Sequence, residues 1–197
     1  MTQYRTAVAI SEPLQTRDAD TNPVISGYFA VFGSPYEICP GVREFVDAHA
    51  FDDALSGDIR ALLNHDTTLV LGRTAAHTLQ LRTDSYGLAG DVSINRDDTD
   101  AMNLYARVRR GDVSQCSFGF EILQEQTQFY DNGDMDFIIE RVKLYEISVC
   151  TFPAYEKTSV YARTAFAARQ EQIQRFRAER IQQQKDALRQ MLRNATK

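Results

Sequence analysis

"VSQCSFGFEILQEQTQFYDNGDMDFIIERVKLYEISVCTF", residues 113–152, holds two long apolar-rich runs on either side of Asn132-Gly133. Asn-Gly between such runs is the strongest short hairpin signal a sequence offers. The stretch also puts Ser114, Cys116 and Ser117 within four positions, just ahead of Phe118-Gly119-Phe120. It therefore reads either as a plain core hairpin or as a hairpin that carries a nucleophile. Side chains alternate across a strand. Cys116 falls with Phe118 and Phe120, the expected core face, and Ser117 falls on the other with Gln115 and Gly119. With a two-residue loop at Asn132-Gly133, Ser117 stands opposite Ser148, and Glu146 opposite Gly119. Ser117, Glu146 and Ser148 then share one face, with Glu146 a diagonal neighbour of Ser117 at roughly 7–8 Å. That gap admits an imidazole between a hydroxyl and a carboxylate. A single bulge in either strand would turn the face over.

Outward from the hairpin, "DDTDAMNLYARVRRGD" (97–112) reads as a helix. It has Asp and Thr at its start, an apolar stripe of Ala101, Leu104, Tyr105 and Val108, arginines in its last turn and Gly111 as cap. "VISGYFAVFGSPYEICPG" (24–41) reads as a strand entering a Gly/Pro loop, and "VDAHAFDDALSGD" (46–58) as a short helix. "IRALLNHD" (59–66) is a strand ending in a polar tip, and "HTLQLRTDSYGLAGDVSI" (77–94) is two strands around a turn. Pro153 is expected to end the second strand of the hairpin. Residues 162–194 contain no Gly or Pro and read as a helix. Its apolar positions, Phe166, Ile173, Phe176, Ile181, Leu188 and Leu192, are too ragged for a coiled coil. The pattern implies an α+β body, mainly an antiparallel β-barrel with flanking helices, plus a long C-terminal helix. The expected division is a body of residues 1–161 and a helical tail of 162–197.

Charge divides the chain in the same place. Residues 165–197 hold eight Lys/Arg against three acids, a surplus of +5. The chain as a whole carries −5, which leaves −10 on residues 1–164. The tail has few interleaved aromatics, which speaks against nucleic acid. It is expected instead to dock on a protein partner or to be removed by self-cleavage. No apolar run reaches the ~18–20 residues a membrane span needs, and the first residues lack a signal peptide's layout. Cys39, Cys116 and Cys150 are odd in number and form no CxxC, so neither a disulfide framework nor a zinc site is expected.

A hydroxyl nucleophile needs a base within reach and a third group to orient the base. The chain has three histidines. His49 lies in the short helix and His77 opens a strand. His65 stands at the polar end of a strand, where site residues concentrate. No GxSxG is present, so a nucleophile elbow is not supported. Ser114 and Cys116 remain rival nucleophiles, Asp66 a rival for orienting His65, and Ser148 a hydrogen-bond partner on the same face.

At four places, in order, the sequence resembles the phage prohead (capsid-maturation) serine protease family, related to the herpesvirus protease assemblin. These are "SGYFAVFG" (26–33), "LLNHD" with "LG" (62–66, 71–72), "CSFGF" (116–120) and "YEISVCTFPAY" (145–155). The resemblance covers roughly residues 24–160 and stops short of 165–197. It implies a herpesvirus-protease-like fold, with His65 as general base, Ser117 as nucleophile and Glu146 as third member. Assemblin has a second histidine where this chain has the glutamate, which can fill the same role. The implied substrates are segments of the major capsid and scaffold proteins and the protease itself, inside a procapsid in the host cytoplasm, with self-association as a further possibility and no cofactor or metal. The loop "SPYEICPGVREFVDAHAF" (34–51) departs from the family pattern. The competing reading is a non-catalytic capsid assembly protein that docks through its C-terminal helix.

Overall fold

A computed structural model describes residues 4–9, 14–18, 23–152 and 160–195. In chain order the strands are β1 (Tyr4–Ala9), β2 (Gln15–Asp18), β3 (Pro23–Val31), β4 (Tyr36–Cys39), β5 (Val42–Val46), β6 (Arg60–Leu63), β7 (Asp66–Arg73), β8 (Leu79–Thr83) and β9 (Gly87–Ser93). Helix α1 (Thr99–Arg110), the hairpin strands β10 (Gln115–Phe129) and β11 (Met135–Cys150), and helix α2 (Val160–Ala195) follow.

These strands form two sheets, one of seven strands in the order β1-β10-β11-β5-β4 with β6 and β7 attached through β11, and one of four ordered β2-β3-β9-β8. The mixed α+β character holds, but the sheets do not close into the expected barrel. The physical reason lies in the pairing. β11 receives both β5 and β6 on a single edge, in parallel, β5 along Met135–Ile139 and β6 along Glu146–Val149. Strands are thereby stacked end to end along β11 instead of continuing round to meet β1 or the four-stranded sheet. The sheets meet through a shared core of Phe29, Phe51, Ile59, Leu88, Leu104, Phe118 and Phe120. Phe118 and Phe120 stack at 4.7 Å between centroids, and Phe51 meets Phe118 edge-on at 5.6 Å. Each such ring contributes about 2–3 kcal/mol by leaving water.

Helix α1 forms as its sequence dictates. Asp98 caps it, its side chain accepting from the backbone N–H groups of Asp100 and Ala101 at 3.0 and 3.1 Å. Ala101, Leu104, Tyr105 and Val108 are its buried stripe, and Gly111 ends it in the left-handed region. The helix expected over 46–58 does not form. Val46 closes β5, and turns lead to one short 3-10 helix, Ala54–Ser56. Asp47 takes the backbone N–H of His49 on its side chain at 2.8 Å, a local bond that competes with helix formation. The loop expected after β3 contains the additional short strand β4, paired with β5.

Residues 115–150 form the expected hairpin, but its loop is the three residues 131–133 and not two. Beyond the Phe129–Met135 pair the Tyr130 N–H donates to the Asp134 carbonyl at 3.0 Å, the N–H of Gly133 donates to the carbonyl of Tyr130 at 3.0 Å, and Gly133 has φ +93°. That loop alone would place Ser117 opposite Ile147. Single-residue register shifts at Gly119/Phe120, Ile122/Gln124 and Gln124/Glu125 leave a net displacement of one, and Ser117 returns to face Ser148. Near the turn, Arg43 grips the buried Asp136 bidentately at 2.8 and 2.9 Å, and the Tyr130 hydroxyl donates to the same carboxylate at 2.7 Å.

Helix α2 lies across this end of the hairpin. Ile173 packs with Val42, Met135 and Phe137, and Phe176 sits 4.5 Å from Phe129 between centroids. Arg177 donates to the Pro40 carbonyl at 2.9 Å, and Arg180 faces Asp131 at 3.7 Å. Farther along, Ile181, Leu188 and Met191 are exposed. Pro153 lies outside the described residues, as do the side chains of Phe166 and Leu192. Among the described residues, no helix is long and apolar enough to cross a membrane.

Because a Cβ at Gly133 would meet nothing within 4 Å, Gly133→Ala tests the turn conformation alone. It should lower stability by about 1 kcal/mol in denaturant unfolding, with the slope unchanged.

Candidate active site

The turn that carries His65 is a two-residue hairpin connection. Leu63 pairs with Asp66, and the intervening Asn64 and His65 have φ of +51° and +61°. Both central residues in the left-handed region define a type I′ turn, which favours Asn first and Gly second. Asn64 suits its place. His65 occupies the position where glycine is the relaxed choice, a strain of the kind that collects at functional sites. Asn64 also ties the turn to β11. Its N–H donates to the Val149 carbonyl at 3.0 Å, and its Oδ1 accepts from the N–H of Thr151 at 2.9 Å.

β11 then touches His65 with three successive side chains on one face. Glu146 Oε1 stands 2.7 Å from His65 Nδ1. Ser148 Oγ accepts from the backbone N–H of His65 at 3.1 Å and donates to Glu146 Oε2 at 2.6 Å. Cys150 Sγ lies 3.8 Å from His65 Nε2. A carboxylate only accepts, so the pairing puts the ring proton on Nδ1 and the lone pair on Nε2. Glu146 and Ser148 are buried at 4 % and 0 % exposure, while one-fifth of the His65 side chain is open to solvent.

Ser117 comes to the same region from β10. It pairs with Ser148 on one side and with Val8 of β1 on the other, and it is fully buried. Strand pairing places Ser117, Ser148, Glu146 and Cys150 on one face of the sheet. Cys116 points the other way. Its thiol donates to the Tyr28 carbonyl at 2.7 Å and lies within the apolar core. Burial, then the Glu146 carboxylate and then Cys116 push the Cys150 thiol up to about 12. Cys150 is therefore a neutral thiol at any working pH.

The other residues weighed in the sequence lie elsewhere. Asp66 accepts from the N–H and hydroxyl of Thr68 at 2.8 and 2.6 Å, and these bonds hold its carboxyl below the usual range. It caps the start of β7. His49 is exposed and pairs with Asp52 at 3.0 Å. His77 ends a short 3-10 helix with φ +56°. Sequence reasoning missed Asn64 and Cys150. Both were open to it, Asn64 as the Asn of a two-residue turn and Cys150 by being two residues past Ser148. No group of three or more His, Cys, Asp or Glu among the described residues is placed to hold a metal ion.

The strain at His65 yields a comparison of two variants that both lack the imidazole. His65→Gly should be more stable than His65→Ala by about 1 kcal/mol in chemical denaturation, since only alanine carries a Cβ into the left-handed region. Equal stabilities would mean that the turn is relaxed.

Three comparisons bear on what this arrangement is. The family model described as caudovirus prohead serine protease matches residues 11–174. The match takes in all four stretches quoted above and runs into α2, past the point where the resemblance read from the sequence stopped. No curated protein matches. A solved structure titled as the bacteriophage T4 capsid assembly protease, gp21, superposes with a TM-score of 0.51 at 12 % identity, covering 77 % of this chain and 99 % of that one. At that identity the likeness speaks for the fold. The family match spans most of the 197 residues, and with it the chain belongs to the caudovirus prohead serine protease family.

Proposed function

We propose that this protein is a serine endopeptidase that cleaves capsid and scaffold protein segments, and itself, as a procapsid matures in the host cytoplasm. The observation that carries the reading is the 2.7 Å contact between His65 Nδ1 and Glu146, on the sheet face that also bears Ser117. Family membership and the T4 neighbour support it at the level of the fold and the class of enzyme.

In this reading Ser117 Oγ attacks the scissile carbonyl as His65 Nε2 takes its proton. Nδ1 keeps its hydrogen bond to Glu146, which holds the tautomer and stabilises the imidazolium as it forms. The imidazolium then delivers the proton to the leaving amine, and water repeats the sequence on the acyl-enzyme. Of the three, His65 has the most solvent-facing surface, one-fifth of its side chain against 5 % for Glu146 and none for Ser117, so the substrate chain approaches from its side. Residues 1–161 form the protease unit. Residues 162–197 form a basic tail that brings the enzyme to an assembly partner.

Co-expression with the capsid protein, followed by cleavage on gels and by mass spectrometry, tests the proposal. Ser117→Ala should abolish cleavage and Cys116→Ala should leave it intact. Glu146→Gln should lower turnover on the order of 10⁴-fold, the scale set by the corresponding change in the serine protease triad. Cleavage retained in Ser117→Ala would sink the assignment. Assembly supported equally by all three variants would favour a scaffolding role.

A further inference from the structure

The third contact on His65 falls on the nitrogen that does the work in the proposed reaction. Nε2 faces Cys150 Sγ at 3.8 Å, and the same sulfur lies 3.8 Å from the Ser148 carbonyl. Cys150 is 1 % exposed. Resting on the function proposed above, we propose that Cys150 is a positioning residue, whose sulfur seats the His65 ring with Nε2 turned inward yet leaves its lone pair available to Ser117.

The argument begins with the freedom of the ring. Nδ1 is anchored to Glu146 and the backbone N–H to Ser148, but the partly exposed imidazole could still tilt about those anchors toward water. Cys150 opposes that tilt by a contact that holds Nε2 from the buried side. The chemistry of the contacting group matters as much as its bulk. A thiolate there would draw a proton onto the imidazole, as in cysteine–histidine pairs, and remove the base. Burial and the neighbouring Glu146 carboxylate prevent this, keeping the sulfur protonated. A hydroxyl in its place would be a stronger donor and would compete with Ser117 for the lone pair. The S–H is a weak donor, which the Ser117 hydroxyl can displace when the ring swings a short way to take its proton. β11 supplies Glu146, Ser148 and Cys150 at alternate positions, so one strand register sets both ring nitrogens and the backbone of a single histidine.

Cys150→Ala and Cys150→Ser are conservative buried changes, and thermal unfolding establishes that each is folded. Each should lower kcat on a capsid-protein peptide roughly fivefold to tenfold with KM unchanged, since the substrate-contacting surface is intact and only the aim of the base is altered. The labelling of Ser117 by a fluorophosphonate should slow in proportion. NMR on protein with ¹⁵N-labelled histidine supplies a readout that a purely structural role would leave alone. In Cys150→Ala the Nε2 resonance of His65 should move, and the downfield Nδ1 proton bonded to Glu146 should stay. An unmoved Nε2 resonance in folded Cys150→Ala, or kcat unchanged in both variants, would overturn the proposal. If the parent enzyme neither cleaves peptide nor labels at Ser117, the proposed function fails instead, and the NMR comparison still decides whether Cys150 seats the ring.

Discussion

A carboxylate removed from water must have both oxygens satisfied, and Glu146 is such a carboxylate. Left unpaired at this depth it would cost several kcal/mol, a large share of the net stability of a domain this size. One oxygen takes the ring N–H of His65 and the other takes the Ser148 hydroxyl. The second bond ties the carboxylate to the histidine again, because the same hydroxyl accepts the His65 backbone N–H. A closed loop of three hydrogen bonds results, which fixes Glu146, Ser148 and the Nδ1 end of the His65 ring relative to one another. The geometry the proposed triad needs is here also the geometry that burial demands.

The fold delivers this loop through the middle of one sheet. β11 is paired on both edges at the level of Glu146 and Ser148. β10 brings Ser117 from one edge, and β6 brings the Asn64-His65 turn from the other. Antiparallel pairing puts Ser117 directly across from Ser148, while the parallel approach of β6 sends the chain out at the end of β11 where Val149 and Thr151 can receive Asn64. The division of one β11 edge between β5 and β6 is what opens the sheet and denies it barrel closure. The site and the departure from the expected architecture therefore have one cause.

Much of this was legible in the residues. Alternation of side chains assigned Cys116 to the core, and the caps and stripe of α1 were as their residue types dictate. The facing of Ser117 and Ser148 was also read correctly, but by two errors that cancel, a loop taken as one residue too short and a net one-residue displacement along the strands. Register over so many residues depends on bulges, and bulges depend on packing against strands far away in sequence, here β1, β5 and β6. His65 could not be joined to Glu146 from spacing, because that contact spans 81 positions and is made by parallel pairing, for which a sequence has no turn signal. The short helix expected at 46–58 failed for a local reason. Asp47 binds the nearby backbone N–H of His49, while Ala50 and Phe51 are drawn into the core.

The long hairpin has a mechanical aspect as well. The seat of α2 lies at Met135 and Phe137, near one end of β11, and the grip on His65 begins at Glu146. No loop interrupts the chain between them, and β10 accompanies it throughout. At about 3.3 Å per residue the eleven steps from Met135 to Glu146 span at most roughly 36 Å. A paired strand neither stretches nor slides, so the hairpin acts as a ruler. Under the function proposed above, a partner docked on the tail would be held at a set reach from His65, and a polypeptide tethered there would need enough slack to cover that distance before any of it could be cut.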